Sequence, residues 1–262
     1  MLRAPAGLPA PDKPPATAHG PPETLSAMTR ILVLLAHPQL ESSHVTRALV
    51  EATLATRASQ ADRADRTTAN GPDPHRPGSA SPCTACLDTD GPNTTELRDL
   101  YMLYPDYLID VAAEQAVLDG VDLLVWLHPI HWYGMPPLMK LWLDEVFAFG
   151  WAYGPGGHAL RGTDLWLVTS TGGPESSYRG DGYNRYFFDA FLPPYEQTAN
   201  LAGMRFLPPL VLHGAHRADA AELARHAAVY AERLNTYPHW PELDEIEAGA
   251  ACDVPADARP AD

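Results

Sequence analysis

A chain of 262 residues, 45% of them hydrophobic, is long enough for one sizeable domain with a hydrophobic core. Its 33 acidic residues outnumber 18 basic ones, and the net charge of -15 repels phosphate backbones and anionic lipid surfaces, which argues against nucleic-acid binding. The longest apolar runs, at residues 31–36 and 123–127, fall far short of the roughly 20 residues that span a bilayer. The N-terminus is interrupted by Pro and Gly where a secretory signal has an unbroken apolar core, so a cytoplasmic location is expected.

Residues 1–28 are rich in Pro, Ala and Gly without periodicity and are expected to be a disordered extension, with Met28 as a candidate start. The run at 31–36 predicts a buried first strand. Val45, Ala48, Leu49 and Ala52 then recur at helical spacing after the polar starters Ser42 and Ser43. Residues 58–93 carry breaker signals such as Gly71-Pro72-Asp73-Pro74 and are expected to be a flexible insertion in a domain spanning 29–240. Cys83 and Cys86 within it form a lone C-x-x-C. No second Cys pair or spaced His pair accompanies it, so it reads as loop thiols and no metal site is expected.

The second strand is expected at 97–103, a helix at 111–119 stopped by Gly120, and the third and most apolar strand at 121–127. A helix at 138–149, a strand at 165–170, a broken helix at 188–202 and a strand at 205–212 follow. Leu223, Ala227, Tyr230 and Leu234 stripe a closing helix, and residues 241–262 read as an unstructured acidic tail. Strands alternating with amphipathic helices predict an α/β, three-layer sandwich. Its five-stranded parallel sheet takes the order 2-1-3-4-5, with ligand beyond the carboxyl ends of the strands.

Three loops at that edge carry candidate chemistry. Residues 36–44 run from the first strand into a helix N-terminus, where free N–H groups and the helix dipole favour a phosphate. His37, Ser43 and Thr46 add donors there, although an ordinary capped helix start fits the same residues. After the third strand comes His128-Pro129-Ile130-His131-Trp132-Tyr133-Gly134-Met135-Pro136-Pro137, a Pro-stiffened aromatic ledge. It suits a flat ring held by stacking and by backbone N–H groups, and Trp132 and Tyr133 also suit a subunit interface. The loop Ser170-Thr171-Gly172-Gly173 removes side chains where a ligand approaches the backbone, or is a plain turn. Neither G-x-G-x-x-G nor G-x-x-x-x-G-K-[ST] occurs, so dinucleotide-Rossmann and P-loop readings lose their main support.

Taken together, Ala36-His37-Pro38, the ledge through Lys140, Phe149-Gly150-Trp151-Ala152-Tyr153-Gly154 and Thr171-Gly172-Gly173 resemble the flavodoxin-like NAD(P)H quinone oxidoreductases. Leu103-Tyr104-Pro105-Asp106 and the stretch at 110–115 make the chain most similar, within that family, to the ancillary proteins of Kef glutathione-regulated potassium-efflux systems. The resemblance covers residues 31–237 apart from the insertion. It implies an FMN-dependent homodimer (FAD being the other flavin considered). His37, Ser43 and Thr46 would lie at the phosphate, with Pro129, Ile130, His131, Trp132, Ser170, Thr171, Gly172 and Gly173 around the ring. Tyr178 resembles the family tyrosine that stabilises charge on the reduced flavin. The histidine that often partners it is replaced by Asn184, which hydrogen-bonds but takes up no proton near neutral pH.

The implied activity is ping-pong hydride transfer from NAD(P)H to a quinone or similar small acceptor. An alternative is a regulatory subunit docked on a membrane potassium/proton antiporter at the inner face of the cell membrane. A one-electron flavodoxin carrier fits the wide aromatic loops less well.

Overall fold

A computed structural model of the chain describes residues 28–69 and 93–246. Five strands, β1 (Arg30–Leu35), β2 (Thr94–Asp99), β3 (Leu123–Pro129), β4 (Asp164–Ser170) and β5 (Arg205–Leu212), form one sheet in the order β2-β1-β3-β4-β5. Every pairing is parallel. Among the described residues, six α-helices connect or flank them: α1 (His44–Ala69), α2 (Leu100–Leu103), α3 (Val111–Leu118), α4 (Pro137–Val146), α5 (Pro193–Ala202) and α6 (Ala220–Thr236). Among the described residues, no helix is long and apolar enough to cross a membrane.

The alternation of side chains along each strand builds two cores. Leu124 and Trp126 of β3 face the layer holding Leu138, Trp142 and Tyr195, whereas Leu123, Val125 and Leu127 face Val45, Leu49, Tyr230 and Leu234 of α1 and α6. A parallel sheet covered on both faces explains why the central strands read as continuous apolar runs.

Three expectations need correction. The apolar residues 100–103 are not strand: the Asp99 carboxylate accepts N–H bonds from Tyr101 (3.0 Å) and Met102 (3.3 Å) and turns the chain into α2, and β2 begins earlier, at Thr94. Residues 58–69 are not loop but the end of α1, since an Ala-rich segment without Gly or Pro favours helix until the breakers begin at Gly71. The tail is ordered through Pro241–Glu245, a 3-10 helix that buries Leu243 and whose Leu243 carbonyl accepts from Arg205 Nη1 at 3.1 Å. Cys83, Cys86, Cys252 and the N-terminal extension before Met28 lie outside the described residues.

Register decides what meets at the functional edge. His128 pairs with Thr169 and Pro129 with Ser170, while Ser170 pairs with Leu212, so the loops after β1, β3, β4 and β5 leave the sheet side by side.

Candidate functional site

At that edge lies a cavity of about 510 Å³, lined by the start of α1 and by the loops after β1, β3, β4 and β5. The α1 end is a donor cluster. Ser43 precedes the helix, and its Oγ accepts the Thr46 N–H at 3.1 Å, leaving its own hydroxyl hydrogen available. The His44 and Val45 N–H groups have no acceptor within the helix, as first-turn groups must. The Gln39 N–H donates to His37 Nδ1 at 3.1 Å, so in the neutral ring Nε2 carries the proton and is the ring's donor. Burial, and then the neighbouring His131, hold the His37 pKa below its ordinary value, which keeps this ring neutral near pH 7.

The opposite wall is Pro129, Ile130 and His131 with Ser170, Thr171 and Gly172. The N–H groups of Ile130 and His131 do not face a ligand as expected. Ile130 donates to the Ser170 carbonyl (2.8 Å) and His131 to Gly134 (2.9 Å), because a stiff ledge satisfies its own backbone first. Gly172 and Gly173 have no backbone acceptor for their N–H groups among the described residues. The return bond from Gly134 N–H to the His131 carbonyl (3.0 Å) closes a tight turn with Trp132 (φ 47°) and Tyr133 (φ 65°) at its centre. Both sit in the left-handed region that bulky residues rarely adopt.

The remaining expected residues are placed as follows. Thr46 lies one turn into α1, 2% exposed, and does not line the cavity. Trp132 stands outward at 95% exposure. Gly173 lies just behind the wall, its carbonyl accepting from Gly214 N–H at 2.9 Å. Tyr178 is buried in an aromatic cluster with Phe188, Phe191 and His213, and burial raises its phenol pKa. Asn184 is held by Tyr133, whose hydroxyl donates to Asn184 Oδ1 at 3.3 Å, while the Tyr133 ring stacks on Phe191 at 5.1 Å.

Sequence reasoning passed over Gln39, Ser42, His44, Ala215 and His216, which also line the cavity. The last two belong to the loop after β5. The signal was available, since the strand-end rule that singled out three loops applies equally to a fourth. Among the described residues, no Asp or Glu lines the cavity of this acidic chain, so no carboxylate of that lining competes for its donors. Among the described residues, no group of three or more His, Cys, Asp or Glu side chains is arranged to hold a metal ion.

A family model described as a flavodoxin-like fold matches residues 29–234. The chain belongs to this flavodoxin-like family. Among solved structures, it is 36% identical to a protein described as a thermophilic tryptophan halogenase from Streptomycin violaceusniger (TM-score 0.59), covering 80% of this chain and 99% of that one. It is 32% identical to the general stress protein 14 of Treponema denticola, solved in complex with FMN (TM-score 0.58), covering 79% and 98%. An NADPH-quinone reductase from P. pentosaceus shares the fold at 21% identity (TM-score 0.57), covering 80% and 99%. The described activities of these flavodoxin-like proteins differ, as expected where one fold hosts several chemistries.

Proposed function

We propose that this chain is an FMN-dependent NAD(P)H:quinone oxidoreductase. The observation that carries the reading is a cavity that no described carboxylate lines, with a donor cluster at the α1 N-terminus facing the loops after β3 and β4. The fit is chemical. His37 Nε2–H, the Ser43 hydroxyl and the first N–H groups of α1 suit a phosphate. Gly172 and the Pro129–His131 ledge suit the edge and face of a flat ring. The FMN complex of a 32% identical relative supports the same cofactor, and FAD is the less favoured flavin.

A bound flavin would supply two-electron chemistry between a nicotinamide and an acceptor. The protein anchors the phosphate through His37 and Ser43, limits the ring's approach with Pro129 and Ile130, and supplies donors from the Ser170–Gly173 turn. Nucleotide and quinone would enter the same cavity in turn. A second copy of the chain is the partner this reading favours, because Trp132 (95%), Tyr183 (87%), Phe187 (64%) and Tyr186 (62%) leave much aromatic surface uncovered.

Anaerobic mixing tests the redox assignment. The FMN-loaded protein should lose its visible absorption on adding NADH or NADPH and regain it on adding a soluble benzoquinone. Failure of both nucleotides to reduce a demonstrably bound FMN would overturn the assignment.

A further inference from the structure

His213 follows β5 directly and stands behind the cavity wall, outside the lining just described. Its surroundings assign its proton. The Thr171 hydroxyl has one hydrogen, and its Oγ1 lies 2.8 Å from the Gly173 carbonyl, which only accepts. The 3.0 Å contact between Thr171 Oγ1 and His213 Nδ1 is then satisfied by an Nδ1–H donor on the imidazole. With the proton on Nε2 instead, Thr171 would have to turn its hydrogen away from Gly173.

The backbone makes this contact hard to avoid. Thr171 N–H donates to the Leu212 carbonyl (2.9 Å), Ala215 N–H to the Thr171 carbonyl (2.8 Å), and Gly214 N–H to the Gly173 carbonyl (2.9 Å). The loops after β4 and β5 are thus sewn together on both sides of His213. The Tyr178 ring centroid is 5.3 Å from that of His213. Phe188 packs edge-on against the imidazole at 5.2 Å. Burial lowers the His213 pKa and the Glu175 carboxylate opposes this, so the neutral ring and its tautomer are what matter near pH 7.

We propose that His213 is a positioning residue for the Ser170–Gly173 turn. As an Nδ1–H donor it fixes the Thr171 hydroxyl, and its ring is held in place by the Tyr178 and Phe188 rings. Thr171 lines the cavity while His213 does not, so the effect of His213 on a ligand passes through Thr171. The inference rests on the flavin reading above.

A double-mutant cycle read by FMN affinity and by the midpoint potential of bound FMN tests it. His213→Leu and Thr171→Val should each weaken FMN binding by about fivefold, the size of one ordinary hydrogen bond. In the Thr171→Val background, His213→Leu should add nothing. His213→Asn keeps an N–H donor near the Nδ1 position and should stay within about twofold of wild type in affinity, with its potential restored, if one donor is the whole effect. Thr171→Ser keeps the hydroxyl and provides a second conservative variant, and thermal unfolding of each variant confirms that it is folded. Additive losses in the double mutant, or no rescue by His213→Asn, would overturn the role of His213 alone. A folded wild type that binds no FMN would instead overturn the flavin reading itself.

Discussion

His128 occupies the penultimate position of β3, 1% exposed, with its ring stacked on Tyr195 at 5.8 Å. Its Nδ1 lies 3.0 Å from the Pro129 carbonyl, which can only accept, so Nδ1 carries the proton, while Nε2 is buried and has no partner among the described residues. Burial, with a smaller push from His131, takes its pKa down to about 4. An unfolded histidine titrates near 6.5. Between these values the unfolded chain holds a proton that the folded one lacks, so stability falls as pH drops through this window and levels off below it. The loss amounts to about 3 kcal/mol at most for this residue. Urea unfolding at pH 7.5 and pH 4.5 should show a larger loss for wild type than for His128→Phe, which cannot titrate. The burial-lowered His37, His213 and His226 add in the same direction and leave a residual slope in the variant. Equal losses in the two proteins would contradict the assignment.

At the scale of elements, the turn after β3 is where backbone preference and structure conflict most. Trp132 and Tyr133 hold positive φ, which costs a bulky residue on the order of 1 kcal/mol or more. Tyr133 offsets its cost by stacking on Phe191 and bonding Asn184, whereas Trp132 is 95% exposed and gains no such contact from the described residues. Trp132→Asn should therefore stabilise the fold by about 0.5 to 1 kcal/mol, since Asn tolerates the left-handed region. Turnover with quinone should fall, because the exposed aromatic surface next to the cavity-lining His131 is lost. Higher stability with undiminished turnover would mean that Trp132 is strained without functional need.

The same elements show what could be read in advance. β1, β3 and β4 were legible because strands buried on both faces leave unbroken apolar runs such as Ile31 to Leu35. β2 was misplaced because it is a polar edge strand, and the apolar residues beside it belong to a turn capped by Asp99. That His37 and Ser43 line the cavity was legible from a strand running into a helix N-terminus. The direction of a side chain was not, since Thr46 follows Ser43 by three residues yet points into the core. The His213–Thr171 contact joins residues 42 apart and depends on β4 and β5 being neighbours, which local pattern does not reveal.

Across the whole molecule, the two ends of the sheet have different tasks. Opposite the cavity, Asp164 at the start of β4 receives two bonds from Arg205 (2.9 and 2.7 Å) and one from the Tyr237 hydroxyl (2.9 Å), tying β5 and the segment after α6 to the sheet. Removing one partner of a largely buried pair leaves the other charge poorly compensated. Asp164→Ala should cost about 3 kcal/mol of stability, discounted from the fully buried case because Arg205 keeps some exposure to water. FMN affinity should stay within about twofold of wild type, since fully formed sites at separate locations act independently. A large loss of affinity in a folded Asp164→Ala protein would show that the two ends are coupled.

In the proposed function, the donor cluster at the start of α1 holds the phosphate of FMN in a cavity that no described carboxylate lines. Titrating FMN into flavin-stripped protein, wild type beside His37→Ala, tests it most directly. Wild type should bind a single FMN per chain, with protein-shifted absorption near ~450 nm. His37→Ala should bind about tenfold more weakly, as expected for one lost hydrogen bond to a charged group, while its affinity for riboflavin, which lacks the phosphate, should be unchanged. Wild-type protein that does not take up FMN, or a His37→Ala protein that loses FMN and riboflavin equally, would contradict it.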